Sequence, residues 1–386
     1  MHVAVVGAGP AGAWAAYNLA RRGARVTIFD DSHPREKPCG GGVTGRALAL
    51  VSDALEARLD HVAIRSARFT NVRRGIDAVV PLGPAALAVT SRTAFDAALL
   101  TAAVRAGAAL HTSRVVGLRV DASSVEIHTR DGTCRPDFIV GADGTNSLVR
   151  RRLSAPFRRD QLSVATGFFA RGVSSDEIVI EMVQEPAGYI WSFPRTDHLA
   201  IGICAQAGIS TRADALRAQA AAWIRAAHVA EGATLVPYAW PIPSLGAADF
   251  DGQVVGGARW CLVGDAAGLV DPITREGIYF AIASGGWAAE AIGEGGDVAR
   301  AYTTRVNDEA VGELARAARL KAGFFRPVFT TLMMDALCQS AAVRAVMADL
   351  VAGSQSYRSL KWRLLRTLEL GLAWRALRSV ACHSIS

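Results

Sequence analysis

A glycine-rich turn between two short apolar runs near the start of the chain constrains the fold more than any other feature. Residues 3–6 (VAVV) are wholly apolar, residues 7–12 read GAGPAG, and residues 24–29 (ARVTIF) form a second, mainly apolar run after an alanine-rich stretch. Short apolar runs of this kind are typical of buried parallel strands, and Gly23 is a typical helix C-cap. The segment therefore predicts a strand, a helix over residues 10–22 and a second strand, which is the order of a right-handed βαβ unit.

The three glycines of this turn have separate roles in a dinucleotide-binding site. Gly7 permits the tight turn, Gly9 lets backbone amides approach a pyrophosphate, and Gly12 lets the helix pack closely on the strand. The pyrophosphate would lie at the helix N-terminus, where free N–H groups and the helix dipole favour negative charge. Asp30 ends the second strand 18 residues after Gly12, where it would accept hydrogen bonds from the adenosine ribose. The flanking strand, helix and acid make a chance glycine-rich turn the less favoured alternative.

Two later segments favour FAD over NAD as the ligand. Residues 141–144 (GADG) follow an apolar run, and residues 260–267 (WCLVGDAA) place Asp265 at the C-terminal end of a strand, where ligands bind in α/β proteins. Asp265 can accept hydrogen bonds from the ribityl hydroxyls, which NAD lacks. A helix that opens near Gly277 and Ile278 would direct its positive end towards the flavin pyrimidine ring and favour an anionic hydroquinone. Asp143 or Asp265 alone could be an ordinary helix N-cap.

The remaining pattern predicts an α/β fold in three parts. A Rossmann-type FAD-binding domain is expected over residues 1–60, 91–160 and 255–297. Strand patterns between 161 and 204 and an extended, proline-marked stretch to Ser244 predict an antiparallel substrate-binding sheet formed by residues 61–90 and 161–254. Residues 298–386 are expected to form a helical C-terminal region.

Composition excludes several classes of protein. The content of 51% hydrophobic and 20% charged residues is typical of a globular protein. No apolar run reaches the ~18 residues that cross a bilayer, and the first strand begins at Val3, which leaves no room for a secretory signal. We therefore expect a cytoplasmic protein. The six cysteines and eight histidines are dispersed, which indicates reduced thiols and no metal site.

The positive charge is concentrated at the end of the chain. Of the net charge of +7, five excess charges come from six basic residues and one acid in residues 358–386. This distribution argues against a nucleic-acid surface. Leucines and tryptophans alternate with arginines at helical spacing, which fits either a helix packed on the protein or a peripheral contact with anionic lipid at the inner face of the membrane. The residues of this pattern are Leu360, Lys361, Trp362, Arg363, Leu364, Leu365, Arg366, Leu368, Leu372, Trp374 and Leu377.

The three motifs, in this order, resemble those of the flavoprotein hydroxylase superfamily. Within it, residues 37–42 (KPCGGG) and 188–194 (GYIWSFP) are similar to the geranylgeranyl reductase family, whose members use FAD to saturate isolated double bonds of isoprenoid chains. The resemblance covers roughly residues 3–286. It implies that Val116 meets the adenine through its backbone. It also implies FAD contacts at Ala11, Asp30, Cys39, Gly40, Gly42, Arg92, Asp265, Gly277 and Ile278.

Arg275 departs from the family pattern, in which glycine is usual. A guanidinium at this position could shift the flavin potential, bind an anionic group of the substrate or point to solvent. The solvent-facing orientation is the slightly favoured expectation.

Residues of the two family motifs are also the candidates for substrate chemistry. Tyr189, Trp191 and Phe193 alternate, so on a strand they share one face, which would form an apolar pocket wall or part of a sheet core. The resemblance implies reduction of carbon–carbon double bonds, with a hydride from FAD and a proton from a nearby acid, for which Cys39 and Tyr189 are candidates. Cys39 could equally be a small buried hydrophobe.

The substrate and the reductant follow from the same resemblance. The substrate is expected to be an apolar small molecule or lipid. Because no second glycine fingerprint is present, the reductant would be transiently bound NAD(P)H or a ferredoxin-like donor. The alternative is a monooxygenase or halogenase that acts on a biosynthetic intermediate, although the single Trp191 differs from the double tryptophan of halogenases.

Overall fold

The computed structural model describes residues 1–55, 59–208 and 211–367. The strands in chain order are β1 (His2–Val6), β2 (Arg25–Phe29), β3 (Gly42–Thr44), β4 (Val62–Ala63), β5 (Ser66–Asn71), β6 (Ile76–Pro81), β7 (Leu87–Val89), β8 (Ala109–His111), β9 (Val115–Val120), β10 (Val125–Thr129), β11 (Thr133–Cys134), β12 (Phe138–Gly141), β13 (Leu162–Arg171), β14 (Ile178–Gln184), β15 (Ala187–Pro194), β16 (His198–Gln206), β17 (Thr234–Pro243), β18 (Gly256–Gly257) and β19 (Trp260–Leu262). The α-helices are α1 (Pro10–Arg21), α2 (Gly45–Val51), α3 (Arg92–Arg105), α4 (Leu148–Leu153), α5 (Ala213–Ala226), α6 (Ala247–Asp251), α7 (Ile278–Glu294), α8 (Val298–Val306), α9 (Gly312–Phe324), α10 (Pro327–Gln339), α11 (Ala341–Val351) and α12 (Tyr357–Leu365).

The first large sheet is a Rossmann-type sheet with the strand order β18-β19-β12-β1-β2-β8. Strand β1 pairs in parallel with β2 and β12, and β12 pairs in parallel with β19, while β18 is antiparallel. The carboxyl ends of β1, β12 and β19 therefore meet at one edge, where the three predicted motifs lie. The predicted βαβ unit is confirmed, and α1 ends one residue before its expected limit.

The second large sheet has the order β17-β13-β16-β15-β14-β5-β6. Its pairings are antiparallel, as predicted, except that β14 pairs in parallel with β5. Strands from residues 61–90 divide between two sheets, because β5 and β6 join this one whereas β4 and β7 pair with β3 in a small separate sheet. The predicted domain bounds stay a prediction.

The C-terminal helices cover one face of the second sheet. Apolar side chains of α10 and α11, such as Leu337 and Val346, are buried against Phe69 and Val80 of β5 and β6. This burial removes apolar surface from water, which is the main force that holds the helices in place. The expected helical C-terminal region is confirmed as far as Leu365, and residues 368–386 lie outside the described residues. Along the described ranges, no helix is long and apolar enough to cross a membrane.

Candidate active site

One cavity of about 720 Å³ runs from the edge of the Rossmann sheet to the second sheet and the C-terminal helices. Its wall includes all but one of the site residues predicted from the sequence, and the exception is Gly12. Those in the wall are Gly7, Gly9, Ala11, Asp30, Cys39, Gly40, Gly42, Arg92, Val116, Asp143, Tyr189, Trp191, Asp265, Gly277 and Ile278.

The glycine turn forms a hollow, called the cradle below, that side chains larger than glycine would fill. Gly7 has a φ of +103°, and a Cβ there would overlap the carbonyl oxygen of Ala142. A Cβ at Gly12 would overlap the carbonyl oxygen of Gly7, so Gly12 sets the close packing of α1 on β1 rather than lining the cavity. Helix α1 begins at Pro10 and directs its free N–H groups into this cradle.

Asp30 anchors the turn through both carboxylate oxygens. Oδ2 accepts from the amide of Ala8 at 2.8 Å and lies 2.8 Å from His33 Nδ1, while Oδ1 accepts from the amides of Ser32 and His33. Burial raises the pKa of Asp30, but His33 and these amides outweigh burial and hold the pKa well below its usual value. The carboxylate therefore stays ionised beside the cradle. Its contact with a ribose stays a prediction.

The buried Arg92, which forms an ion pair within α3, links the start of that helix to the loop that carries Cys39. Arg92 donates to both carboxylate oxygens of Asp96, at 2.8 and 2.9 Å. Burial lowers the pKa of Arg92, but Asp96 more than compensates and raises it. The guanidinium Nη1 lies 3.6 Å from Cys39 Sγ, so a permanent positive charge faces the thiol.

Asp143 binds the start of α4, whose N-cap residue is Ser147. Its carboxylate accepts from the amides of Leu148 and Val149, at 2.6 and 3.2 Å, and from the hydroxyl of Ser147. These bonds satisfy free N–H groups at the start of α4. Burial raises the pKa of Asp143.

Asp265 forms an ion pair that sequence reasoning missed. Lys37 Nζ lies 2.8 Å from Asp265 Oδ2, and both side chains are largely buried. Burial raises the pKa of Asp265, but Lys37 outweighs burial and lowers it. A Cβ at Gly277, the N-cap of α7, would lie 3.4 Å from Asp265 Oδ1, so the carboxylate and the start of α7 share one corner of the cavity. Lys37 is the first residue of the KPCGGG segment, so this motif was the sequence signal that could have indicated the ion pair.

The two family motifs contact each other. A Cβ at Gly40 would lie 3.1 Å from the Phe193 ring, and one at Gly42 would lie 3.0 Å from it. The buried Arg195 donates to the carbonyl oxygens of Gly40 and Cys39, at 3.2 and 2.8 Å, and pairs with Glu36. Burial raises the pKa of Glu36, but Arg195 and Ser91 outweigh burial and lower it to about 2. Arg195 thus fixes the Cys39 loop against β15, a role that the sequence did not reveal.

The aromatic residues of β15 line the cavity on one face of the strand. The Tyr189 and Trp191 ring centroids are 5.7 Å apart, and the strand position opposite Trp191 is Gly202, where a Cβ would overlap the indole. Tyr189 donates its hydroxyl to the carbonyl oxygen of Thr274 at 2.9 Å. Burial raises the pKa of Tyr189 well above its usual value.

The far end of the cavity is apolar and includes helices of the C-terminal region. Side chains of the second sheet, of β7 and of α9 and α11 form this wall. The sequence predicts helices in this region but does not indicate which surface they cover. The apolar wall residues are Phe69, Leu87, Ile178, Ile180, Met182, Phe324, Met347, Leu350 and Val351.

The expectation that Arg275 points to solvent is wrong. Its side chain is half-buried, lines the cavity and donates to Ser244 Oγ at the end of β17. The residue has a φ of +63°, a left-handed conformation that glycine adopts without strain. The hydrogen bond to Ser244 holds the side chain in this inward position.

The hydrogen-bonding groups of the cavity wall fit FAD. The glycine cradle and the N-termini of α1 and α7 suit phosphate groups and the flavin ring edge. Arg35 Nε and Trp240 Nε1 are buried N–H donors of the cavity wall that lack a hydrogen-bond partner among the described residues. FAD carries many acceptor oxygens and nitrogens, which such donors require.

Comparisons with known proteins agree with this geometry. A family described as an FAD binding domain matches residues 1–285. Menaquinone reductase of Mycobacterium tuberculosis is 31% identical over 90% of this chain and 91% of that protein. Geranylgeranyl diphosphate reductase of Rhodobacter capsulatus is 30% identical over 74% of this chain and 73% of that protein. A geranylgeranyl bacteriochlorophyll reductase-like structure from Thermoplasma acidophilum superposes with a TM-score of 0.79 at 22% identity, covering 95% of this chain and 98% of that chain.

Proposed function

Because the chain belongs to the geranylgeranyl reductase family of FAD-dependent oxidoreductases, we propose that it reduces carbon–carbon double bonds in an isoprenoid or similar apolar substrate. The observation that carries this proposal is the continuity of one cavity. Its polar end holds the three FAD motifs, and its other end is walled by the β15 aromatic residues and by α9 and α11. An extended apolar chain bound there would lie against the flavin end of the cavity.

The names of the relatives support the same class of substrate. Geranylgeranyl diphosphate and menaquinone both carry an isoprenoid chain, and the relatives named for them match most of this sequence. The apolar wall offers such a chain a surface that excludes water, and its aromatic rings restrict the positions of the chain.

In the proposed mechanism, FAD supplies the hydride when it is bound. The protein binds and orients the substrate and supplies the proton. Lys37 and Asp265 would hold the ribityl end, and the α7 N-terminus at Gly277 would face the flavin ring. We assign the proton to the Cys39 thiol, because it lines the cavity beside the Arg92 guanidinium. The Tyr189 hydroxyl is the weaker candidate, because it already donates to Thr274 and burial raises its pKa. Hydride and proton together add two hydrogens to the double bond, and solvent returns the proton to the thiol.

An anaerobic single-turnover experiment tests the proposed reaction. The bound FAD is reduced with dithionite, geranylgeranyl diphosphate or menaquinone is added, and the flavin spectrum and product mass are followed. Flavin reoxidation with a mass gain of about two hydrogens per saturated bond is the expected result. If the flavin stays reduced with both substrates until oxygen enters, the reductase proposal fails. Oxygen consumption stimulated by candidate substrates would then favour the monooxygenase or halogenase alternative.

We also propose that the reductant is transiently bound NAD(P)H or a ferredoxin-like donor. Loss of the oxidised flavin absorbance on anaerobic mixing with NADPH, NADH or reduced ferredoxin would identify which of them donates electrons. A donor that leaves the absorbance unchanged while dithionite reduces the same sample is eliminated.

Peripheral contact with the inner face of the membrane is a further part of the proposal. Trp362 and Leu365 of α12 are 66% and 58% exposed, and Lys361 and Arg366 beside them are also exposed. Exposed apolar and basic groups on one short helix are typical of a helix that binds anionic lipid. Leu368, Leu372, Trp374 and Leu377 of the predicted pattern lie outside the described residues.

A further inference from the structure

Two cationic side chains meet at one hydroxyl oxygen beside the cavity. Arg275 Nη1 and Lys321 Nζ both donate to Ser244 Oγ, the lysine over 2.7 Å. Lys321 also donates to Gln206 Oε1, which accepts the Ser244 hydroxyl proton at 2.8 Å. Arg275 belongs to the cavity wall, and Lys321 is half-buried on α9. The cluster therefore joins the loop before α7 to a C-terminal helix through two positive charges.

The acids on the Arg275 loop are bound to other groups. Glu276 pairs with Arg46 and accepts from the Thr44 hydroxyl. Asp271 accepts from the amides of Ile273 and Thr274 and from the Tyr357 hydroxyl. Neither carboxylate is left to neutralise the two cations at Ser244.

The local chemistry of the two cations also indicates a missing anion. Arg275 Nε is buried and has no hydrogen-bond partner among the described residues. Burial, together with the charge of Arg275, lowers the pKa of Lys321 to about 7. An unpaired buried N–H and two neighbouring like charges both cost stability, and an oxyanion would offset both costs.

We propose that Arg275 and Lys321, which the Ser244 hydroxyl holds side by side, bind an oxyanion, the phosphate or carboxylate group of the substrate that occupies the apolar part of the cavity. The planar guanidinium suits the paired oxygens of either group, and the ammonium adds a second positive charge. Arg275 has a left-handed backbone conformation, which glycine would adopt without strain. Backbone strain of this kind is typical of functional positions. This inference depends on the proposed function only for the identity of the apolar chain that carries the oxyanion.

Anion binding to the FAD-loaded enzyme tests the site without turnover. The holoenzyme is used because bound FAD fills the glycine cradle, which could itself bind phosphate. Pyrophosphate and acetate are titrated by calorimetry into the wild type, Arg275→Gly, Lys321→Met and the control Arg319→Met. Arg319 is an exposed cation on the same helix as Lys321. Flavin content and thermal unfolding show that each variant is folded.

The site predicts that Arg275→Gly and Lys321→Met each weaken binding of the preferred anion by about tenfold or more, the loss typical of one charge-assisted hydrogen bond. Arg319→Met should bind as the wild type does. Preference for pyrophosphate or for acetate identifies the substrate group as phosphate or carboxylate. Equal anion affinity in the wild type and in Arg275→Gly would overturn the proposal. A substitution that changes the flavin potential but not the anion affinity would overturn it as well.

Turnover separates this inference from the proposed function. Arg275→Gly should raise the KM for geranylgeranyl diphosphate relative to geranylgeraniol, with double-bond reduction retained. Anion binding that depends on Arg275, in an enzyme that reduces neither of these compounds nor menaquinone, would refute the reductase proposal and leave the site intact. Double-bond reduction with unchanged anion affinity in Arg275→Gly would refute the site alone.

Discussion

At the residue scale, Asp265 is the acid whose position in the cavity gives the sharpest test of cofactor binding. Asp265→Ala removes the carboxylate predicted to bind the ribityl hydroxyls and leaves the Lys37 ammonium without its partner. We expect FAD affinity to fall by roughly 10- to 100-fold, the loss of one to two charge-assisted hydrogen bonds. The measurement is flavin retention on gel filtration and titration of FAD into the stripped protein. Asp176→Ala, at an exposed acid, is the control, and full retention of FAD by Asp265→Ala would remove the assigned role.

A substitution of Cys39 tests its proposed role as the proton donor. In the anaerobic single-turnover assay, Cys39→Ala should reoxidise reduced flavin at least 100-fold more slowly, the usual contribution of a general acid. FAD content should stay normal, because the thiol is one of many groups in the wall. Cys338→Ser, at an exposed thiol on α10, should match the wild type. A Cys39→Ala rate within a few-fold of the wild type would exclude the thiol as the proton donor.

Arg275 allows backbone strain to be separated from charge. Arg275→Gly and Arg275→Ala both remove the guanidinium beside Lys321, but only glycine relaxes the φ of +63°. Arg275→Gly should therefore have a free energy of unfolding about 1 kcal/mol higher than Arg275→Ala. Urea unfolding in excess FAD measures the difference. Equal stabilities would mean that the backbone changes conformation in the alanine variant, and a crystal structure of that variant would show it.

At the element scale, the contact between α1 and α7 holds the two helices whose N-termini reach the cavity. A Cβ at Gly285 would overlap the carbonyl oxygen of Ala11, whereas one at Gly286 would be 3.4 Å from the Trp14 indole nitrogen. Gly285→Ala should push the helices apart and lower the free energy of unfolding by about 1–3 kcal/mol, with weaker FAD binding. Gly286→Ala on the same helix should be neutral or up to about 1 kcal/mol more stable. The prediction fails if both variants unfold at the same urea concentration.

Local sequence predicts elements better than it predicts their partners. The βαβ unit follows from residues that are close in the chain, and α1 and β2 were placed within about a residue. The parallel pairing of β14 with β5 joins residues about 110 positions apart, and no periodicity within either strand encodes it. Similarly, an apolar helix face does not specify the surface it covers, so Met347 of α11 was not expected in the cavity wall.

The site was predictable where its chemistry lies in glycines and acids at strand ends. These groups lie around one cavity because parallel strands bring their carboxyl ends to one edge. The partners that reach them from distant segments were not predictable. Lys37 meets Asp265 across 228 positions, and Arg195 meets Cys39 across 156. The inward direction of Arg275 depends on Ser244, which is 31 positions away and carries no motif.

At the scale of the whole molecule, α12 is attached to the protein on one side and exposed on the other. Tyr357 donates its hydroxyl to Asp271 at 2.8 Å and Leu360 is buried, so the start of the helix packs on the loop before α7. Trp362 and Leu365 face outward. A bilayer bound through these residues would lie close to the C-terminal helices that wall the apolar end of the cavity.

The proposed membrane contact is tested by changing the exposed face of α12 and leaving its packed face intact. Trp362→Ser with Leu365→Ser keeps Tyr357 and Leu360 in place. Wild-type protein should co-sediment with anionic vesicles more than with neutral ones, and the double variant should bind the anionic vesicles at least tenfold more weakly, since burying two large apolar side chains contributes about 3 kcal/mol or more. Val79→Ser, at an exposed valine on β6, is the matched control. Added salt should weaken the wild-type interaction because basic residues contribute to it. Equal sedimentation of the wild type and the double variant would mean that the exposed face of α12 does not bind the bilayer.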